Sequence, residues 1–205
     1  MARYGMAIDL KRCIGCDTCT LACKSANATQ RGILWNRLLK YETGHYPNSR
    51  LLFLPVGCMH CEEPLCKKVC PTGATSRRAD GIVVIDSTKC IGCRYCMVAC
   101  PYSARYFSDG VYSYYPHDVT PFEQDKGKKY PAGTVQKCNF CLERVEQGLE
   151  PACVVSCPTN ARFFGDLDNP ASEISRLIKE KKGFVLNPEL NTKPSVYYLP
   201  RERAK

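Results

Sequence analysis

Histidine is scarce in this chain: three among 205 residues, at His45, His60 and His117. None stands in a Ser/His/Asp or H-E-x-x-H setting, so neither nucleophilic nor zinc-hydroxide hydrolysis has a signature here. No glycine-rich phosphate loop is present, and no G-x-G-x-x-G follows a strand, which removes the usual nucleotide-binding signals. No apolar run approaches the roughly 18 residues of a bilayer-spanning helix. The opening MARYGMAIDL holds neither an apolar signal core nor a twin-arginine pair, so no export signal is expected in it. No basic stripe interleaved with aromatics is laid out to track a nucleic-acid backbone. The single tryptophan, Trp35, is expected in a core or an interface.

Cysteine is abundant instead, with 16 residues and none left over from four groups of four. The groups are Cys13, Cys16, Cys19, Cys23; Cys58, Cys61, Cys66, Cys70; Cys90, Cys93, Cys96, Cys100; and Cys138, Cys141, Cys153, Cys157. A disulfide scaffold scatters its cysteines, whereas these are clustered. A structural zinc site needs two C-x2-C pairs, and a run of C-x2-C-x2-C-x3-C supplies too many thiolates at too short a range. CIGCRYCMVACP, residues 90–101, is the bacterial spacing for iron–sulfur ligation, whose fourth cysteine serves the neighbouring cluster. All 16 cysteines are therefore candidate metal ligands.

The formal charge of +9 counts cysteine as neutral. A 4Fe–4S core with four thiolates carries about −2, so four of them bring about −8 and a nearly neutral holoprotein. The basic residues beside the motifs, Arg12, Lys24, Lys89, Arg94 and Lys137, are candidates for tuning cluster potential.

The groups repeat as strand, cysteine run, short helix, proline and strand. Ile8-Asp9 and Ile85-Asp86 precede Cys13 and Cys90 by the same interval, and Cys100 and Cys157 open CPYSARYF and CPTNARFF. The first group departs from this pattern: Lys24 follows Cys23, so a helix can run on through KSANAT. Such a unit has little apolar surface, and metal must supply much of its folding energy. The expected fold is α+β, with two ferredoxin-like units of small antiparallel sheets and short helices. Residues 51–108 form one unit, inserted into a discontinuous second made of 1–50 and 135–170. The strand after Cys157 is expected to pair with the strand before Cys13. The sharing rule then gives four ligand sets: Cys13, Cys16, Cys19 with Cys157; Cys138, Cys141, Cys153 with Cys23; Cys90, Cys93, Cys96 with Cys70; and Cys58, Cys61, Cys66 with Cys100.

Residues 24–50 read as an irregular connection, and 109–134 as a surface excursion whose KGKK run is a solvated face. In 171–205, ASEISRLIKEKK reads as a helix with Asp168, Asn169 or Ser172 as its cap and Gly183 as its stop, followed by an extended tail. His60 is expected to be a hydrogen-bonding neighbour of the second group. With no acid–base machinery, the chain reads as a wire without a catalytic site of its own.

The four runs CIGCDTCTLAC, CMHCEEPLCKKVCP, CIGCRYCMVACP and CNFCLERVEQGLEPACVVSCP, with the tail NPELNTKPSVYYL, resemble the four-cluster electron-transfer subunits of the dimethyl-sulfoxide-reductase family of molybdopterin oxidoreductases. The resemblance spans nearly the whole chain. It implies four 4Fe–4S clusters, Cys93 being intact where some members carry tryptophan. It implies relay between a molybdopterin catalytic subunit and a membrane quinol-linked subunit or other redox partner, as in anaerobic respiration. It also implies an order of groups: first, facing the catalytic subunit, then fourth, third and second. The implied location is the extracytoplasmic face of the membrane, reached by export with the catalytic partner; cytoplasmic members also exist. The alternative is a stand-alone polyferredoxin, for which the excursion and the tail have no use.

Overall fold

The computed structural model describes residues 2–110, 113–115, 117–126 and 130–201. Of the KGKK run, 127–129 lie outside the described residues, as do 202–205 of the tail. The elements are small and mixed, as an α+β chain with four metal-binding runs requires.

Strand β1 (Tyr4–Asp9) is the centre of a three-stranded sheet. On one side it pairs antiparallel with β8 (Arg162–Asp166), Met6 opposite Phe164 and Ile8 opposite Arg162. That is the pairing expected between the strand before Cys13 and the strand after Cys157. On its other side lies β9 (Val196–Leu199), parallel, with Met6 opposite Val196. The extended tail is thus packed on its own chain, and Tyr198 and Leu199 are fully buried.

Side chains alternate across a strand, and β1 uses both faces. Met6 and Ile8 join Met59, Ile82, Phe140, Val154 and Tyr198 in the main core between the cysteine runs. Ala7 faces Ile174 and Leu199 on the other side. There α7 (Glu173–Glu180) covers the sheet with Ile174, Leu177 and Ile178. Burial of Ile174 contributes about 2–3 kcal/mol. Ser172 is the N-cap, accepting from Ser175 N–H at 3.2 Å, and Gly183 N–H closes the end on the Ile178 carbonyl.

Three two-stranded ribbons complete the framework. β4 (Thr75–Arg77) pairs with β5 (Val83–Ile85) across the Asp80-Gly81 turn. β6 (Tyr106–Ser108) pairs with β7 (Thr134–Gln136), closing the base of the excursion, which carries helix α4 (Pro121–Lys126). β2 (Asn36–Thr43) pairs along its whole length with β3 (Arg50–Gly57). This corrects the irregular reading of 24–50: NRLLKYET is a strand, and its hairpin crosses the expected division at residue 50. The same span begins with the end of α1 (Thr18–Asn27), the helix that runs on past Cys23. Trp35 is buried, donates to Gln136 Oε1 at 3.1 Å and meets the Tyr130 ring edge-on.

The Ile-Asp repeat has a structural role. Asp9 N–H donates to the Ala161 carbonyl, and its Oδ1 accepts from the N–H groups of Lys11 and Arg12, turning the chain toward Cys13. Asp86 does the same in the repeat, with Ala74 and Thr88. Burial pushes the Asp9 carboxyl up, but the Lys181 ammonium at 2.6 Å and the two backbone donors outweigh it and hold it below 3.8. Asp9→Asn keeps the turn and removes the charge. Lys181 is 36% exposed and can turn to water, so the expected cost is about 1–2 kcal/mol, below the roughly 3–5 kcal/mol of a fully buried broken pair. The carboxylate's contribution is complete above 3.8 and is lost as pH falls through its lower folded value. Thermal unfolding should therefore separate wild type from Asp9→Asn at neutral pH and bring them together in acid; equal midpoints at neutral pH would remove the ion pair from the account.

Candidate metal centres

Each cysteine run is a tight loop followed by a short helix. In the two CIGC loops, Gly15 and Gly92 adopt φ of +74° and +67°. A Cβ at Gly15 would meet the Phe53 ring, and one at Gly92 would meet the Gly133 carbonyl. Short helices carry the later cysteines: α1 holds Cys19 and Cys23, α2 (Leu65–Lys68) Cys66, α3 (Tyr95–Val98) Cys96, and α6 (Ala152–Val155) Cys153. Another short helix, α5 (Leu142–Val145), begins directly after Cys141. Past Pro71 and Pro158 the chain turns back and donates to the cysteine before the proline. Thr75 N–H reaches Cys70 Sγ at 3.5 Å, and Ala161 N–H reaches Cys157 Sγ at 3.3 Å. Phe140 N–H reaches Cys138 Sγ and Val135 N–H reaches Cys90 Sγ.

The thiols converge across groups. One cavity is lined by Cys13, Cys16, Cys19 and, from the far end of the chain, Cys157. A second is lined by Cys23, Cys138, Cys141 and Cys153, with Cys58 at its edge. Cys61 lies in the field of Cys58, Cys66 and Cys100, and Cys96 in that of Cys90 and Cys70. Cys93 is exposed. Among the described residues, no three His, Cys, Asp or Glu side chains converge tightly enough for a single metal ion. Thiols spread around a cavity suit a multi-atom iron–sulfur core, and soft thiolates are its normal donors.

Burial and neighbouring thiols push Cys23 and Cys138 well above the ordinary thiol range, Cys61 to about 12 and Cys153 to about 11. These groups hold protons until a metal displaces them, so metal binding and proton release are linked. At the rim, hydrogen bonds from Thr18 hold Cys16 below that range. Cys70 is also lower: burial raises it, but donors on Thr75 and Thr72 prevail.

Comparison with known proteins agrees with this donor set. A family model described as a 4Fe-4S dicluster domain matches residues 49–115 and again 115–167, and a second with the same description matches 12–74. A Halobacterium salinarum protein named as the iron-sulfur component of a dimethyl sulfoxide reductase is 46% identical, covering 98% of this chain and 80% of its own length. A selenate reductase component from Mesobacillus selenatarsenatis is 42% identical over 95% and 70%. The arsenate respiratory reductase iron-sulfur subunit of Shewanella sp. strain ANA-3 is 38% identical over 96% of each chain. This chain belongs to the same family. It is an iron–sulfur electron-transfer subunit of the dimethyl-sulfoxide-reductase type, and it carries 4Fe–4S clusters.

In this iron–sulfur subunit the basic residues expected beside the clusters divide. Lys137 is buried, donating to the carbonyls of Val83 and Cys138. Lys24 ties the end of α1 to the carbonyls of Thr29, Gln30 and Ile33. Arg94 stacks on Phe107 at 3.7 Å, Arg12 lies over Phe163, and Lys89 is an exposed partner of Asp86. Two buried arginines were missed, Arg105 and Arg162. Both are the fifth residue after a group's last cysteine, in CPYSAR and CPTNAR, so the repeat itself carried the signal. Asn27 was missed as well; its amide lies 3.5 Å from Cys141 Sγ and 3.7 Å from Cys23 Sγ.

The fourth group meets the second: Cys58 and Cys138 line one cavity, and the His60 ring stacks on Phe140 at 3.6 Å. His60 sits between Cys58 and Cys61, Phe140 between Cys138 and Cys141, so two C-x2-C turns meet face to face. His60 accepts from Val83 N–H at Nδ1, and its buried Nε2 has no hydrogen-bond partner.

Gly92→Ala is expected to damage one centre. The positive φ costs an L-residue about 1–2 kcal/mol, and the Gly133 carbonyl leaves no room for the methyl group. Iron analysis of the purified variant should show less iron per chain than wild type, by about the four atoms of one 4Fe–4S centre; full occupancy would show that the loop absorbs the methyl group.

Proposed function

We propose that the iron–sulfur subunit relays electrons through four 4Fe–4S clusters, between a molybdopterin catalytic subunit and a second redox partner such as a membrane quinol-linked subunit. The observation that carries the reading is the cavity in which Cys157 joins Cys13, Cys16 and Cys19, the crossing expected of paired clusters. The proposed ligand sets are Cys13, Cys16, Cys19, Cys157; Cys23, Cys138, Cys141, Cys153; Cys58, Cys61, Cys66, Cys100; and Cys70, Cys90, Cys93, Cys96. They divide between two ferredoxin-like units, one built around the second and third groups and one around the first and fourth, with the β2–β3 hairpin spanning the boundary. The shared electrostatic fields of these thiols support the sets.

The proposed order of groups along the relay is first, fourth, second, third. The fourth-to-second junction at His60 and Phe140 supports it. The names of the relatives, as parts of dimethyl sulfoxide, selenate and arsenate reductases, support a catalytic partner. With such a partner the complex works at the extracytoplasmic face, to which this chain is carried by its partner.

The holoprotein should contain about 16 iron atoms per chain, four per cluster. Cys157→Ala should remove or convert the centre of the first group and leave three centres with unchanged electron paramagnetic resonance. Loss of the fourth group's centre in its place would refute the crossed sets.

A further inference from the structure

Arg162 is 6% exposed and forms part of the wall between two thiol-lined cavities, the one with Cys13, Cys16, Cys19 and Cys157 and the one with Cys23, Cys138, Cys141 and Cys153. Its Nη1 lies 3.8 Å from Cys153 Sγ and 3.4 Å from Met6 Sδ, and its Nη2 donates to Asn36 Oδ1 at 2.7 Å. Cys19, a thiol of the other cavity, lies in its electrostatic field. No carboxylate is among these partners, so the guanidinium's charge is met by sulfur.

Arg105 repeats the arrangement. It is 4% exposed, donates through Nη1 to Thr75 Oγ1 at 3.1 Å, and its buried Nη2 has no hydrogen-bond partner. Cys66 and Cys96, which belong to different proposed sets, both lie in its electrostatic field. Thr75 is the fifth residue after Cys70, and Ala28 the fifth after Cys23. Each pair of centres therefore receives one arginine.

We infer that Arg162 and Arg105 each serve as a positive charge shared by two neighbouring clusters, raising the reduction potentials of both together. The inference rests on the ligand sets proposed above. A cluster gaining one electron gains one negative charge, with no bond made or broken, and a nearby fixed cation favours that state. A cation beside one cluster alone would shift it against its neighbour and build a step into the relay. A cation between the two lifts both and leaves the gap between them unchanged. Burial makes the effect large, since low-dielectric surroundings screen it little. Lys137 and His60 lie at the fourth-to-second junction, between the pairs.

The test is a potentiometric titration of the holoprotein followed by electron paramagnetic resonance. In Arg162→Gln the reduction equilibria of the first and fourth groups' centres should both fall by about tenfold, about 59 mV for a one-electron couple, while the other two hold. Arg105→Gln should give the complementary pattern. Arg162→Lys keeps the charge and should keep both potentials, which a role in packing alone would not ensure. If Arg162→Gln does not assemble, Asn36→Asp, which sets a carboxylate against the same guanidinium, should lower the same two potentials. A shift of one centre alone, of all four, or of none would overturn the inference. A wild-type protein with fewer than four reducible centres would instead refute the ligand sets, a separate failure visible before any variant is made.

Discussion

Negative charge on buried sulfur is the constraint on which this structure depends. Sixteen thiols line or border the interior of a 205-residue chain. A buried thiolate without a cation is unfavourable, and the rise at Cys23, Cys138 and Cys153 expresses that cost. Iron offsets most of it, and the protein supplies the remainder from its own groups. Among the described residues these include the buried guanidinium groups of Arg105 and Arg162, the buried Lys137 ammonium, the Asn27 amide, the Thr18 and Thr72 hydroxyls, and backbone N–H groups turned toward sulfur. The apolar core is correspondingly thin, a line of residues such as Met6, Met59, Phe140 and Tyr198 between cysteine loops. Folding and metal uptake are therefore one process in this chain, more than in a domain with a full core.

Much of this was legible from spacing. A C-x2-C-x2-C-x3-C-P run states its chemistry because the distance between thiols is fixed by the cluster they hold. Repetition then identified the strands, since Ile8-Asp9 and Ile85-Asp86 build the same turn with the same acceptors. The pairing of β1 with β8 followed from matching the two halves. The parallel docking of β9 did not, because VYYL carries no sign of which strand it will join. β2 was lost for another reason: Trp35, a charged alternation and GHYPNSR read together as loop. Only the cross-strand neighbours, Leu39 with Leu54 and Tyr41 with Leu52, make the segment a strand.

The buried arginines show a different limit. Arg12 and Arg94 were the expected tuning charges, while Arg105 and Arg162 were missed. Arg94, Arg12, Arg105 and Arg162 are alike in sequence, all within a few residues of a ligand. What separates them is the trailing strand. After Cys100 and Cys157 the chain turns inward and buries Ala104 and Ala161, and the Ala161 N–H comes within hydrogen-bonding distance of the Cys157 sulfur. The next side chain is thereby aimed between the cavities. Arg94 and Arg12 precede or interrupt that turn and fall on aromatic rings instead.

Pairs of groups and the order of pairs are set by different physics. A repeat encodes how one loop lends a cysteine to its partner, because lending occurs within a repeated unit. It is silent on how two units meet, since that contact is made once. Here it is made by His60 on Phe140, reinforced by Val83, which donates its N–H to His60 and accepts from Lys137 through its carbonyl. Neither ring is a ligand, and both lie in the unconstrained middle of a C-x2-C turn. The same contact leaves CIGCRYCMVACP at one end of the proposed order. Its surface agrees with that position: Ile91 is 67% and Val98 88% exposed, and Cys93 itself faces outward. A terminal centre must bring its cluster within reach of a partner.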